Sequence, residues 1–396
     1  MKKIRLVEAC LKIGSGATPR GGKNVYCEKG ISLIRSQNVL DFDFSENGLV
    51  YINEEQASKL NNVEVMEGDV LLNITGDSVA RATIMKFDFL PARVNQHVAI
   101  IRAKKEIIDP LYLLYFLQYQ KSYLLQLASA GATRNALTKS MIAGIELELP
   151  SLDIQRKIVS ILNDIQEKIL ENKKINENLE QQAEALFHSL FIENANPTWK
   201  DGVLSDLGTV VAGGTPSKTK PEYYSEQGIA WITPKDLSLN KSKFISRGEI
   251  DISELGFSKS SATKMPTGTV LFSSRAPIGY IAIAANEVTT NQGFKSVVPN
   301  ENVGTAFIYY LLKFLLPTIE GMASGSTFKE ISGTGMKSVP VVIPDNEAIE
   351  KFNAFCTPIF QQQEVLEAEN SRFADIRDAL LPKLMYGELD VSDIDL

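Results

Sequence analysis

Residues 129–150 read SAGATRNALTKSMIAGIELELP, and residues 323–344 read ASGSTFKEISGTGMKSVPVVIP. Each is a Gly-Ser-Thr loop followed by a strand that ends in a proline, Pro150 or Pro344. Working outward, further matches run in the same order at an offset near 195. GATP at 16–19 pairs with GGTP at 213–216, and YCEKGISLIRSQNV at 26–39 with YSEQGIAWITPKDL at 224–237. EGDVLL at 67–72 pairs with TGTVLF at 267–272, VNQHVAII at 94–101 with TNQGFKSV at 290–297, and LYLLYFLQ at 111–118 with AFIYYLLK at 306–313. Matches in order at a near-constant offset mark an internal repeat. The chain holds two copies of one unit, head to tail. Within each copy, short β-branched or aromatic runs separated by Gly, Asn and Asp turns predict strands. An apolar helix comes before the Gly-Ser-Thr loop.

After each proline the pattern changes. Residues 151–192 contain no Gly and no Pro, and apolar residues recur at steps of three or four, the spacing of a helix seam. The seam takes in Ile154, Ile158, Ile161, Ile165, Ile169, Ile175, Leu179, Ala183, Leu186 and Leu190. Residues 345–386 repeat it with Phe352, Phe355, Ile359, Leu366, Phe373, Ile376, Leu380 and Leu384. Asp153 suits the helix dipole in its first turn, Asp345 is placed as an N-cap with Glu347 in the turn after it, and Pro358 predicts a bend or local break. Each helix would be about 60 Å long. A single apolar stripe of that length needs a partner, and the economical partner is the other copy, run antiparallel. The predicted class is α+β: two tandem mixed α/β domains at 1–150 and 193–344, a central helical spacer at 151–192 and a C-terminal helix with an acidic tail at 345–396. The paired helices would give the chain pseudo-twofold symmetry.

The 396 residues exceed a single typical core. No apolar run is long enough to span a bilayer, and the basic N-terminus lacks the apolar core of a secretory signal. Cys10, Cys27 and Cys356 suggest neither a disulfide framework nor a zinc motif, so a reducing cytoplasm is the expected compartment. The net charge of −7 is unevenly spread: +2 over 1–150, −2 over 151–192, +1 over 193–344 and −8 over 345–396. Either large segment could therefore present a basic face.

Glycine-rich IGSGATPRGGKN at 13–24 invites a phosphate-loop reading and fails it. Residue 17 is Ala where the first Gly should stand, and Lys23 is followed by Asn24 instead of Ser or Thr. The repeat of this stretch, VAGGTPSKTK, lacks Gly-Lys altogether. A tight turn that shapes the fold explains the shared Gly-x-Thr-Pro as well as a DNA-facing loop does. No G-x-S-x-G elbow, H-E-x-x-H or spaced carboxylate pair is present, and His97 and His188 are the only histidines. Catalysis by this chain is not expected.

Several groups do suit nucleic acid. Gln37, Asn38, Asn95, Gln96, Asn291 and Gln292 carry amides of the kind that read adenine. Arg20, Arg35, Arg81, Arg93, Arg134 and Arg275 could read guanine or neutralise phosphate. Lys23, Lys218, Lys220, Lys235, Lys295 and Lys329 suit phosphate. The repeated Asn-Gln pair serves equally well as a backbone-capping device. The two Gly-Ser-Thr loops differ at Arg134 against Phe328 and at Asn135 against Lys329, as expected if each copy reads a different sequence on a common scaffold.

GGTPSKTKPEYYSEQGIAWITPKDL (213–237), SSRAPIGYIAI (273–283), NQGF (291–294), LPSLDIQRKIVSILNDI (149–165) and RDALLPKLMYGELDV (377–391) together resemble the specificity subunits of Type I restriction–modification enzymes. Copy one is looser: GATPRGGKNVY departs from the pattern, and Arg-Ser replaces Thr-Pro after GISLI. The resemblance implies two target-recognition domains, each binding half of an asymmetric, bipartite site on double-stranded DNA. It implies helices that set the half-site spacing and dock methyltransferase (modification) subunits. S-adenosylmethionine, ATP and Mg²⁺ chemistry would then reside on the modification and restriction/translocase partners. Two other readings compete, a protein-binding coiled-coil scaffold and the recognition part of another restriction class.

Overall fold

The computed structural model describes the chain apart from residues 1, 130–134, 326–328, 393 and 395–396. It forms two compact units, residues 1–171 with 371–396, and residues 172–370. Each unit therefore contains one repeat and a stretch of both long helices.

In the first unit, the strand Lys2–Arg5 pairs antiparallel with Glu146–Leu149, the strand that closes the repeat. A four-stranded sheet follows the order Cys10–Ser15, Val98–Ala103, Val70–Asn73, Ala82–Ile84. A five-stranded sheet has Ile31–Ile34 at its centre, paired in parallel with Ala92–Val94. The apolar helix expected from the sequence is two helices, Pro110–Tyr119 and Lys121–Ser129. Asp109 caps the first through its carboxylate, which accepts from the amides of Leu111 (2.9 Å) and Tyr112 (3.3 Å), with Pro110 in the first turn. Tyr112, Leu113, Tyr115 and Leu117 of this helix are buried in the main core.

The second unit repeats the plan. Lys200–Val203 pairs with Pro340–Ile343, and Trp231–Ile232 runs parallel to Thr289–Thr290. A five-stranded sheet has the order Gly208–Ala212, Lys295–Pro299, Val270–Ser274, Ile278–Ala284, Phe244–Ile245. Its apolar helix is also split, into Thr305–Phe314 and Leu316–Met322, with Pro317 in the first turn of the second piece. The registers of the repeat-closing pair and of the parallel pair match their counterparts in the first unit, so the repeat read in sequence is a repeat of fold.

The central helix runs Leu152–His188 and the C-terminal helix Asn346–Tyr386. In the first unit, Arg377 Nη1 donates to Gln166 Oε1 at 2.6 Å. In the second, Asn172 Nδ2 donates to Glu369 Oε2 at 3.3 Å and Gln363 Nε2 to the Asn176 carbonyl at 3.1 Å. In the second unit partner numbers fall as helix numbers rise, so the two helix segments there pair antiparallel. Asp345 is the N-cap expected, its carboxylate accepting from the Ala348 amide at 2.9 Å and from Trp199 Nε1 at 2.9 Å. The Trp199 bond, then the Ala348 amide, hold this carboxyl below its ordinary value.

The break expected at Pro358 does not occur, since the helix is continuous through it. Helices tolerate the loss of one internal hydrogen bond where packing holds both flanks, and Ile359 and Phe360 are buried beside it.

The seam is also narrower than its sequence pattern. Ile158, Ile169, Ala183, Phe352, Ile359, Leu366 and Leu384 are buried, and Ile154, Ile161, Ile165, Leu179, Leu186, Leu190, Phe373 and Leu380 are half-buried. Ile175, Phe355 and Ile376 are exposed at 44, 41 and 48%. Buried Gln166, Asn172 and Gln363 occupy inward positions instead. A helix of 3.6 residues per turn rotates away from any strict step of three and four, and polar residues take the positions where cross-helix hydrogen bonds form.

Candidate nucleic-acid interface

The two motifs repeated most clearly, Gly-x-Thr-Pro and Asn-Gln, lie against each other in both units. In the first, the Gly16 amide donates to the Val98 carbonyl (2.8 Å) and the Ala17 amide to that of Val94 (3.0 Å). In the second, Gly213 and Gly214 donate to Phe294 (3.4 Å) and Thr290 (2.9 Å). A Cβ at Gly16 would lie 2.1 Å from the Val94 oxygen, and one at Gly213 1.9 Å from the Asn291 oxygen. Only glycine permits so close a backbone approach. These loops are therefore built for packing, and Pro19 and Pro216 beside them are buried.

Asn95 and Asn291 take the capping role. Asn95 Oδ1 accepts from the His97 amide (3.1 Å) and Asn291 Oδ1 from the Gly293 amide (2.8 Å), two residues on in each case, which is an Asx turn. Their neighbours Gln96 and Gln292 are exposed.

Asn38 is likewise removed from base reading. It is fully buried, accepts from the Arg35 amide (3.0 Å) and donates to the Ser45 (2.8 Å) and Asn47 (3.3 Å) carbonyls. Asp236 holds the equivalent position in the second unit, accepting from the Thr233 amide at 2.7 Å. The cap therefore preserves this turn although copy one has Arg-Ser where copy two has Thr-Pro.

Arg35 and Gln37 donate to the same turn. Arg35 Nη2 bonds the Gly48 carbonyl, and Gln37 Nε2 reaches those of Asn47 (3.3 Å) and Gly48 (3.4 Å). Arg93 is 5% exposed, spent on the Ala57 carbonyl (3.3 Å), Glu64 (3.2 Å) and Asn61 (3.0 Å). A guanidinium packed so deeply among acceptors supports the fold and cannot reach a groove. Lys295 also departs from a phosphate-facing role. It is 8% exposed, with its ammonium 3.4 Å from the Gln292 carbonyl and 3.7 Å from Glu330. Burial lowers its pKa, against the pull of Glu330.

The remaining candidates face solvent to different degrees. Arg20, Lys218, Lys220 and Lys329 are exposed, and Arg81 is half-buried. Lys220 pairs with Glu222 at 3.7 Å, and Lys235 with Glu249 at 2.5 Å. Arg134 lies outside the described residues, as does the Lys23 side chain.

The groups brought together are those around one short bridge. An isolated antiparallel bridge joins Thr75 to Ala136 in the first unit and Arg275 to Glu330 in the second. Beside the first, Thr75 Oγ1 lies 2.6 Å from His97 Nδ1, and His97 Nε2 lies 3.1 Å from Gln96 Nε2. Beside the second, Arg275 Nη1 lies 3.3 Å from Glu330, with Lys295 on the other carboxylate oxygen. Thr215 of the Gly-Gly-Thr-Pro loop accepts from the Gln292 amide at 3.3 Å. Sequence reading missed Thr75, His97, Thr215 and Glu330 as members of these clusters. The aligned repeats, placing Thr75 opposite Arg275, held the signal.

The fold is a duplicated α/β scaffold with unlike side chains at equivalent, half-buried bridges. The chain belongs to the Type I restriction modification DNA specificity domain family, which matches residues 21–181 and 196–368. It is 41% identical over 155 residues to the MjaIX specificity subunit of Methanocaldococcus jannaschii, covering 39% of this chain and 36% of that protein. It is 23% identical to the HindI specificity subunit of Haemophilus influenzae, over 82% of this chain and 87% of that one. Its fold is similar to the crystal structure of the Type-I restriction-modification system S subunit from M. genitalium (TM-score 0.58, 16% identity, covering 97% of this chain and 95% of the other). No helix among the described residues is long and apolar enough to cross a membrane.

Proposed function

We propose that this chain is the DNA-recognition subunit of a Type I restriction–modification complex. Each of the two repeats, 1–150 and 193–344, would read one half of an asymmetric, bipartite site on double-stranded DNA. The helices at 151–192 and 345–396 set the separation of the halves and dock the modification subunits. Those partners, with the restriction/translocase subunits, supply S-adenosylmethionine, ATP and Mg²⁺ chemistry. This chain supplies the address. The observation that carries the reading is the pair of equivalent bridges with opposite chemistry, Thr75–Ala136 and Arg275–Glu330, because a shared scaffold with divergent rims suits two different half-sites. Arg20, Lys218 and Lys329, exposed in the fold, are the candidates for phosphate contact.

Methylation mapping of a host with and without the gene tests it. A bipartite motif that disappears with the gene is expected, and an unchanged methylome with the partner subunits expressed would overturn it. The spacer is tested by matched four-residue insertions beside Asn172 and Glu369, which face each other at 3.3 Å. The gap in the methylated motif should lengthen, and an unchanged gap refutes the ruler.

A further inference from the structure

We infer that Arg275 is a guanine-reading residue of the second unit, that Glu330 positions it, and that the first unit has no counterpart at the equivalent position. The inference rests on the chain acting as a DNA-recognition subunit. It goes beyond that reading by assigning a base and a half-site to one side chain.

Arg275 follows directly on the strand Val270–Ser274, at its exit toward the loop rim. The Ser274 amide is fastened to the Gly293 carbonyl at 2.7 Å, and the Ile331 amide donates to the Ser274 carbonyl at 3.1 Å. The backbone on both sides of the bridge is therefore fixed. The Arg275 side chain is 36% exposed, as is that of Glu330, so the pair lies at the surface. One guanidinium nitrogen, Nη1, donates to Glu330 Oε2 at 3.3 Å.

A guanidinium has five donors in a rigid fork, and with Glu330 its one side-chain partner among the described residues, an edge remains able to give two parallel hydrogen bonds. In the major groove, guanine alone offers adjacent acceptors, N7 and O6, to such a fork. Glu330 also faces the Lys295 ammonium at 3.7 Å, so two cations share one carboxylate and the cluster keeps a net positive charge. That charge attracts the electron-rich guanine edge, while the carboxylate holds the fork in place and reduces the ordering cost of binding.

The corresponding position in the first unit is Thr75, opposite Ala136. Its neighbours form a chain from the Thr75 hydroxyl through the His97 ring to the Gln96 amide. Thr75 carries no guanidinium, and among the described residues none stands at this bridge, so the discrimination is assigned to the half of the site read by the second unit.

The test uses the full chain assembled with its modification subunits and a DNA library randomised across the wild-type motif. Arg275→Ala should relax a single guanine position in a single half-site, cutting discrimination there about 10- to 100-fold, with the other half unchanged. Arg275→Lys should relax the same position, because an ammonium cannot make the bidentate contact, and it keeps a cation facing Glu330 if the alanine variant folds poorly. Glu330→Gln should weaken discrimination at that same guanine by a smaller factor at an unchanged melting temperature. Full discrimination retained by folded Arg275 variants overturns the inference, as does relaxation at a base other than guanine or in both halves equally. A wild-type complex with no sequence-selective methylation overturns the recognition reading itself, a separate and recognisable result.

Discussion

Lys243 and Glu180 form an ion pair in which the lysine side chain is 7% exposed and the glutamate 23%. Lys243 comes from the recognition fold of the second unit and Glu180 from the central helix. Gln363 of the C-terminal helix accepts from the same ammonium at 2.7 Å, and the ring of Phe360 lies 4.1 Å from it. Lys313 adds a second cation to Glu180 at 2.7 Å. One buried charge thus fastens both helices to the domain. The first unit reaches the same end with the roles exchanged: the domain supplies the ring of Phe42 and the C-terminal helix the cation, Arg377, at 4.3 Å.

Removing one partner of this pair should be costly, because the other charge stays buried. Glu180→Gln is expected to lower stability by about 3 kcal/mol, read from urea denaturation. A loss below about 0.5 kcal/mol, the size of an exposed pair, would show that the pair fastens nothing.

The same pair predicts a pH dependence. Burial alone would raise the Glu180 carboxyl, but Lys243 and Lys313 outweigh it and hold the pKa at about 2. A carboxyl depressed in the folded state contributes stability that is present above its unfolded pKa and lost as pH falls through the folded one. The stability gap between wild type and Glu180→Gln should therefore be full at pH 6 and shrink from about pH 4.5 downward. A gap constant to pH 3 would contradict the assignment.

Glycines 14, 16 and 213 separate packing from flexibility. Gly16→Ala and Gly213→Ala place a Cβ against carbonyl oxygens at 2.1 and 1.9 Å, whereas Gly14 has nothing within 4 Å. The first two should destabilise by about 2 kcal/mol or more and Gly14→Ala by under about 0.5 kcal/mol. Thermal melts of the three variants decide it.

Along the helices, Ile158→Ala should cost about 2–4 kcal/mol as a buried deletion, while Ile175→Ala should be near neutral. Both fit the apolar spacing of the sequence, but only Ile158, 2% exposed against 44%, lies in the core. Equal losses would restore the wider seam.

Lys218 and Lys329 are exposed and should act through phosphate alone. Replacing either by Ala should weaken DNA binding across all sequences and reduce the salt slope of affinity by about one, in gel shifts with the partner subunits present. A change in base preference instead would make that residue a reader.

The sequence by itself determined the duplication, the mixed α/β plan of each copy, and the long helices, because all of these are written in local periodicity and in order along the chain. It also narrowed Gly-x-Thr-Pro and Asn-Gln to a choice between fold and contact. The tertiary structure gives Gly16, Gly213, Asn95 and Asn291 packing or capping roles and leaves Gln96 and Gln292 exposed. Asn38 and Arg93 look like surface readers in a linear string, yet they are buried because strands distant in sequence close over them. Arg275 and Glu330 are 55 residues apart and meet only through a bridge between two loops. Which polar side chain is spent on the fold and which remains for a ligand is set by long-range packing, and no local pattern records it.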